Sequence, residues 1–411
     1  MQVVVIGGGV AGTFCAGQIA EFGHSCILIE RNEKIGKKLY LTGKGRCNLT
    51  NDTDVPGILS QVLHGDKFLL SALHRWGAAD TMEFARQNGC PVKVERGNRV
   101  FPQSDKSSDV IRLLERYARD NGAEIRLNTR VSGIEIADGR VCAVIADGRR
   151  IACDRVVVAT GGRSYSSTGS TGDGYAFARQ CGHTVVAPRP ALVPMYADGY
   201  ATLAGLTLKN VRATLTHDGR EIASQFGELL FTHTGVSGPV VLSLSGYANR
   251  YWQDGALQGK NELLLDLKTA LDEQTLDARM QRTFAQCANM RLRNAVSDYL
   301  PKALVAFWLD RAGVAQDRFC HSVTKSERER LVRTLKRFSI SVRALGDIEC
   351  GIITAGGVEL SQVQPKTMES KLVSGLYFAG EVLDIDALTG GYNIQIALST
   401  AYAAACAIKN S

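Results

Sequence analysis

Gly7, Gly9 and Gly12 stand in G-x-G-x-x-G spacing directly after the apolar run Val3–Ile6, and an acid, Glu30, closes the segment. Together these residues suit the holding of a dinucleotide. Gly7 permits a tight turn, Gly9 lets the backbone approach a pyrophosphate, and Gly12 lets a helix pack closely on its strand. Glu30 can accept hydrogen bonds from ribose hydroxyls, and an acid there argues against a 2′-phosphate; the neighbouring Arg31 blurs that only slightly. The bland alternative is a glycine-rich turn in some other α/β domain. The motif alone does not choose between dinucleotides. A second cluster follows at once, with Lys37, Lys38, Lys44 and Arg46 set among Gly36, Gly43 and Gly45. Such a loop offers cations and backbone N–H groups to phosphate, unless it is simply solvated.

These residues need a scaffold. Residues 3–6 read as a buried parallel strand, the stretch up to Gly23 as a helix, and "CILIE" as a second strand. Strand, glycines, helix, strand and acid fit within the length of one βαβ unit. Residues 66–89 and 105–121 have helical patterns. From Ala123 the period becomes two, and Asp138–Gly139 and Asp147–Gly148 signal hairpins. A three-stranded meander therefore feeds another buried strand, "RVVVATGG", and Gly172 and Gly174 precede a helix. Residues 189–265 alternate in short stretches around an Asp218–Gly219 turn and read as a β-rich domain. Residues 270–338 are helical in pattern, with Leu304 and Trp308 on one core face. Near the C-terminus, "LYFAG", Glu381 and a helix beyond Gly391 fit the N-terminal sheet, so the nucleotide domain is split around the middle of the chain. The helix N-terminus at Gly390–Asn393 would aim N–H groups at an anion. No second strand–glycine–helix unit with a trailing acid exists, so one permanent dinucleotide site is expected.

Composition sets outer limits. The chain has 411 residues, 45% hydrophobic and 22% charged, enough for a large core. Its net charge of +7 is concentrated: residues 279–343 hold 14 Lys/Arg against 5 Asp/Glu. A solvated face of basic helices is preferred there over a nucleic-acid surface, so nucleic acid is not an expected partner. The 11 cysteines lack zinc spacing, and no metal site is expected. Scattered cysteines, no signal peptide and no membrane span together read as a reduced, cytoplasmic protein. "IALSTAYAAACAI" is too short to span a bilayer and reads as a packed helix.

The motifs "GGGVAG", "LTGKGRCNLTN", "ATGG", "TGDGYAFA", "FTHTGVSGP", "TAGGVEL" and "GLYFAGEVLDIDALTGGYNIQIA" together resemble the bacterial BaiN/YhiN-type flavoprotein family, also described as aminoacetone-oxidase-like. The resemblance runs over nearly the whole chain. More distantly, "TGDG" and "AGE" are similar to fumarate reductase flavoprotein subunits. The resemblance implies an α/β fold: a split Rossmann-like FAD-binding domain (1–188 and 346–411), an inserted β-barrel domain (189–268 and about 339–345) and a helical domain (269–338). It implies FAD as the cofactor. Gly7, Gly9, Ala11 and Gly12 would face the pyrophosphate and Glu30, beside Arg31, the adenosine ribose. Lys38 and the Thr42–Asn48 loop, with Gly45, Arg46 and Cys47, would line the phosphate–flavin side. Val131 would pair with adenine. Thr160, Gly161 and Gly380 complete the set, Glu381 would lie near the pyrophosphate or ribityl chain, and Gly391, Asn393 and Ile394 would touch the isoalloxazine.

The chemistry implied is that of an FAD-dependent oxidoreductase, with NAD(P)H docking transiently as electron donor, acting on an unidentified small molecule. An amine-type oxidase using oxygen and an RNA-binding flavoprotein with a modification role are the alternatives. The catalytic residues are left open. His233 is a weak candidate proton donor, with an ordinary hydrogen-bonded histidine preferred. Cys47 is a weak candidate thiol relay; it lacks the second nearby cysteine that such relays use, and a packed thiol is preferred.

Overall fold

The computed structural model describes residues 1–410. The chain divides into two compact units, Met1–Ala191 with Asp347–Ser411, and Leu192–Gly346.

The first unit is built on a five-stranded parallel sheet. Its order is Leu376–Phe378, Arg155–Val158, Gln2–Ile6, Ser25–Ile29, Glu124–Arg126. Val3, Val4, Val5 and Val156–Val158 are fully buried, as β-branched residues covered on both faces should be. The first and last parts of the chain meet here: Val156–Val158 pair in parallel with Leu376–Phe378. The helix Val10–Glu21 packs against the C-terminal helix Tyr392–Lys409. The latter buries Ala401, Ala403, Ala404 and Ala405, whose small side chains allow close approach. The predicted meander is present as a three-stranded antiparallel sheet over Val131–Ala137, Arg140–Ala146 and Arg149–Ala152.

The patterned stretch 66–89 is two helices, Asp66–Arg75 and Ala78–Gln87. They are broken where Trp76 turns extended and Gly77 starts a new helix, its N–H donating to Asp80. The stretch 105–121 gives one helix, Ser107–Asp120.

The second unit holds a seven-stranded antiparallel sheet. Its edge strands, Phe338–Val342 and Ala344–Leu345, stand at opposite ends of the strand order. Only Arg343 separates them in sequence, so the sheet curls back on itself as a barrel does. Within the region read as β-rich lies a helix, Pro239–Ala248; Pro239 at its first position is preset for a helix start. The helices Glu273–Gln286, Leu292–Ala295, Lys302–Arg311 and Lys325–Lys336 follow. Sheet and helices share one core containing Phe231, Leu265, Met280, Leu304, Trp308 and Phe338.

Candidate cofactor site

The first strand delivers Gly7 to the sheet's C-terminal edge, beside the strand Arg155–Val158. Connections run to opposite sides there, and open α/β sheets bind ligands at such a place. Gly7 has φ +106°, and a Cβ on it would lie 2.6 Å from the Ala159 carbonyl oxygen. A Cβ on Gly12 would lie 1.9 Å from the Gly7 carbonyl oxygen, so helix and turn are pressed together. Gly9 differs: nothing lies within 4 Å of its would-be Cβ. The helix it starts has no side-chain cap and no acid in its first turn. Its first N–H groups thus point into open space, where a diphosphate fits.

Glu30 is 7% exposed at the end of the second strand. Its carboxylate accepts from the Gly8 N–H at 2.7 Å and from the Asn32 N–H at 2.8 Å. Arg31 turns aside, donating to Thr171 at 2.7 Å and Asp173 at 3.1 Å. Val131 is buried at the start of its strand, and the nearby Thr129 N–H donates to the Glu30 carbonyl.

Lys38 is held on the other side. Its ammonium meets Glu381 at 2.8 and 3.0 Å and the buried Ser164 hydroxyl at 2.7 Å. Glu381 also accepts from the Thr354 N–H, and the Thr354 hydroxyl accepts from the N–H groups of Arg163 and Ser164. Ser164 and Thr354 were not expected from sequence; isolated hydroxyl residues carry no spacing signal. This lattice joins Lys38 to the "AGE" turn, and Gly380 there is held by its N–H to Thr400.

The loop between them follows an unusual path. Gly43, Lys44, Gly45 and Cys47 all have positive φ. Thr42 closes it with a bond to the Leu39 carbonyl at 2.8 Å. Arg46 is drawn to Glu95 and Asp105 and lies over the Phe101 ring at 4.1 Å, so its charge is already matched. Cys47 is fully buried, and burial pushes its thiol up to about 12. It is therefore a protonated, packed thiol at neutral pH. The side-chain oxygens of Asn48 and Thr160 are buried without a partner, as groups awaiting a ligand would be. Gly161 follows Thr160 with φ +74°.

At the far end, Gly391 has φ +99°, and its would-be Cβ lies 2.4 Å from the Thr50 carbonyl oxygen. The helix it opens again lacks a side-chain cap and a first-turn acid. The Asn393 side chain is spent on the loop before it, bonding Ala387 and Leu388, so Asn393 and Ile394 offer backbone N–H groups. Gln395 is fully buried. It accepts from Thr50 at 2.7 Å and Thr81 at 2.8 Å and donates to the Trp76 carbonyl, fixing this helix start to the basic loop's exit strand. A further pair joins the same segment: His64 meets the buried Asp384 at 3.2 Å, and that carboxylate holds the imidazole's pKa above its ordinary value. His233 lies in the second unit, exposed on the turn after Thr232.

Two uncapped helix starts, an acid, a lysine and orphaned polar atoms along one chain of elements fit a dinucleotide with a long, partly apolar body. Comparison with known proteins agrees. The family described as HI0933-like protein Rossmann domain matches residues 1–407. A ribosomal RNA dihydrouridine synthase of Haemophilus influenzae is 33% identical over 99% of this chain and 98% of its own. The enzyme of the same name from Escherichia coli is 32% identical over 98% of this chain and 97% of its own. A 3-dehydro-bile acid delta(4,6)-reductase of Clostridium scindens is 31% identical over 98% of both chains. Among solved structures, a 3-ketosteroid-delta4-(5alpha)-dehydrogenase of Rhodococcus jostii shares the fold at TM-score 0.52 and 16% identity, covering 99% of this chain and 96% of that one. This chain therefore belongs to the HI0933-like Rossmann family of FAD-binding oxidoreductases.

Proposed function

We propose that this protein is an FAD-dependent reductase of a carbon–carbon double bond conjugated to a carbonyl, that NAD(P)H supplies its electrons, and that its substrate is a uridine of ribosomal RNA. The observation that carries this reading is the end-to-end likeness to enzymes whose named reactions share one step. Dihydrouridine arises when hydrogen is added across the 5,6-double bond of uracil, beside a carbonyl. A bile-acid 4,6-diene conjugated to a 3-oxo group is reduced in the same sense. Two full-length relatives are named for action on ribosomal RNA, which moves RNA, an alternative in the sequence reading, ahead of an unidentified small molecule.

Bound FAD supplies two-electron transfer as hydride. The chain supplies position and charge. The uncapped helix start at Gly9 takes the pyrophosphate and Glu30 the ribose. Lys38 neutralises charge between the phosphates and Glu381. The open N–H groups after Gly391 favour negative charge on the ring edge that they face. With one such βαβ unit, the nicotinamide nucleotide docks only transiently.

The test is an incubation of the purified yellow protein with unmodified ribosomal RNA and either NADH or NADPH, with dihydrouridine measured by mass spectrometry. Dihydrouridine appearing with one donor supports the proposal. Failure of both donors to bleach the flavin ends the reductase reading. The bile-acid relative favours a second substrate, a steroidal enone; a bleached flavin reoxidised by a 3-oxo-4,6-diene but not by RNA would select it.

A further inference from the structure

Within the second unit, two segments far apart in sequence run side by side outside the main sheet. Arg291 and Phe319 form an antiparallel bridge, the Cys320 N–H donates to the Met290 carbonyl, and the His321 N–H donates to the Ala288 carbonyl. Residues facing each other across such a bridge project to one side, so Arg291 and Phe319 share a face. His321, in the single 3-10 turn Cys320–Ser322 that follows, brings its ring beside that of Phe319.

Its composition is unusual for a solvated surface. Phe319 is 46% exposed and Met290 44% exposed. The rings of Phe319 and His321 lie nearly parallel, 8° apart with centroids at 5.8 Å. His321 is oriented by its Nδ1–H donating to the Ala288 carbonyl at 2.8 Å, which leaves Nε2 facing outward. The whole stretch 278–297 contains four arginines, Arg279, Arg282, Arg291 and Arg293, and no acid. None of the four has a carboxylate partner among the described residues; Arg291 is bridged to Phe319, and the exposed Arg293 is joined to the same segment by its N–H to the Gln316 carbonyl. The nearby Arg318 is different: Glu327 and the Ser322 carbonyl occupy its guanidinium, so it braces the ribbon.

Exposed, oriented aromatic faces beside unpaired arginines are the combination that holds single-stranded nucleic acid. Bases stack on the rings and phosphates meet the guanidinium groups. We propose that the ribbon of Ala288–Arg293 and Arg318–His321 is a docking surface for single-stranded RNA, with Phe319 and His321 as the stacking platform and Arg291 and Arg293 as phosphate contacts. This rests on the RNA reading above and adds where the RNA is gripped.

The test uses the full-length holoprotein and a fluorescein-labelled 12-nucleotide oligouridylate, with binding followed by anisotropy at several salt concentrations. Phe319→Ala should weaken binding about 5- to 150-fold, the range of one lost base stack. Arg291→Ala and Arg293→Ala should each reduce the slope of log affinity against log salt by about 0.7. Lys67→Ala, an exposed charge change in the other unit, should do neither. FAD content and flavin bleaching by NAD(P)H should stay as in the wild type throughout. Wild-type binding that all three ribbon variants leave intact overturns this surface alone. Unchanged RNA binding with altered sedimentation of the Phe319→Ala protein overturns it in favour of a contact between copies. Wild-type protein that binds no RNA at low salt overturns the substrate reading as well, while flavin bleaching reports separately on the reductase.

Discussion

At the scale of single residues, two glycines of one motif do different work, and alanine separates them. Gly12 is needed by the protein itself: a methyl group there would meet the Gly7 carbonyl at 1.9 Å. Gly12→Ala should destabilise the apoprotein by about 1–3 kcal/mol and lose flavin with it. Gly9 is not needed by the protein's own packing, since its methyl would meet nothing within 4 Å. Gly9→Ala should cost the apoprotein less than about 1 kcal/mol in thermal unfolding. FAD affinity, read from the ratio of absorbance at 450 and 280 nm after gel filtration, should still fall sharply. Equal loss in both variants would remove Gly9 from the pyrophosphate. His64 gives a pH signature. Asp384 and Asp386 raise its pKa, and Arg189 opposes them more weakly. A histidine whose pKa is raised on folding adds stability below its unfolded value, about 6.5, and loses that contribution as pH rises through the folded value. The melting temperature of His64→Gln should therefore trail the wild type near pH 5.5 and converge with it by about pH 8.5. A gap that widens with pH would contradict the ion pair.

At the scale of elements, local rules were readable and long-range ones were not. The βαβ start, the Asp138–Gly139 and Asp147–Gly148 hairpins and the C-terminal helix follow from period and turn chemistry; Asp138 and Asp147 adopt the positive φ that such turns require. The break at Trp76–Gly77 was hidden because helical spacing continues across it, and only the Gly77–Asp80 contact marks a new start. The apolar, β-branched run after Pro239 has no clear period, so nothing in it separated helix from strand. In the site, glycines and charged residues had spacing to betray them. Ser164, Thr354 and Gln395 had none, because the side-chain bonds that tie them into the site reach residues 126 or more positions away. Gln395 shows what was missed. Its buried amide satisfies Thr50, Thr81 and the Trp76 carbonyl. Gln395→Leu strands the Thr50 and Thr81 hydroxyl donors, while the Trp76 carbonyl keeps the Ser399 hydroxyl, and each orphan costs about 1–3 kcal/mol. Chemical unfolding should show a loss of about 2–4 kcal/mol, and flavin should dissociate more readily because the Gly391 helix start loses its anchor.

At the scale of the whole molecule, the chain builds two separate cores, one around the parallel sheet and one around the curled sheet with its helices. The residues proposed to hold the cofactor all belong to the first. The first unit is made from both ends of the chain, so its formation waits on the most distant contacts, whereas Leu192–Gly346 is continuous. Calorimetry should therefore resolve two transitions. A ligand bound only by the folded state stabilises the unit that binds it, by about 2.7 kcal/mol at a hundredfold excess over Kd. Added FAD should raise one transition and leave the other in place. The fluorescence of Trp308, fully buried in the second unit, should follow the transition that FAD does not move; a variant with Trp76 and Trp252 replaced by Phe isolates that signal. If FAD raised both transitions equally, the two cores would unfold as one cooperative body, and cofactor loss would be felt as strongly at the arginine-rich helices as at the glycine turn.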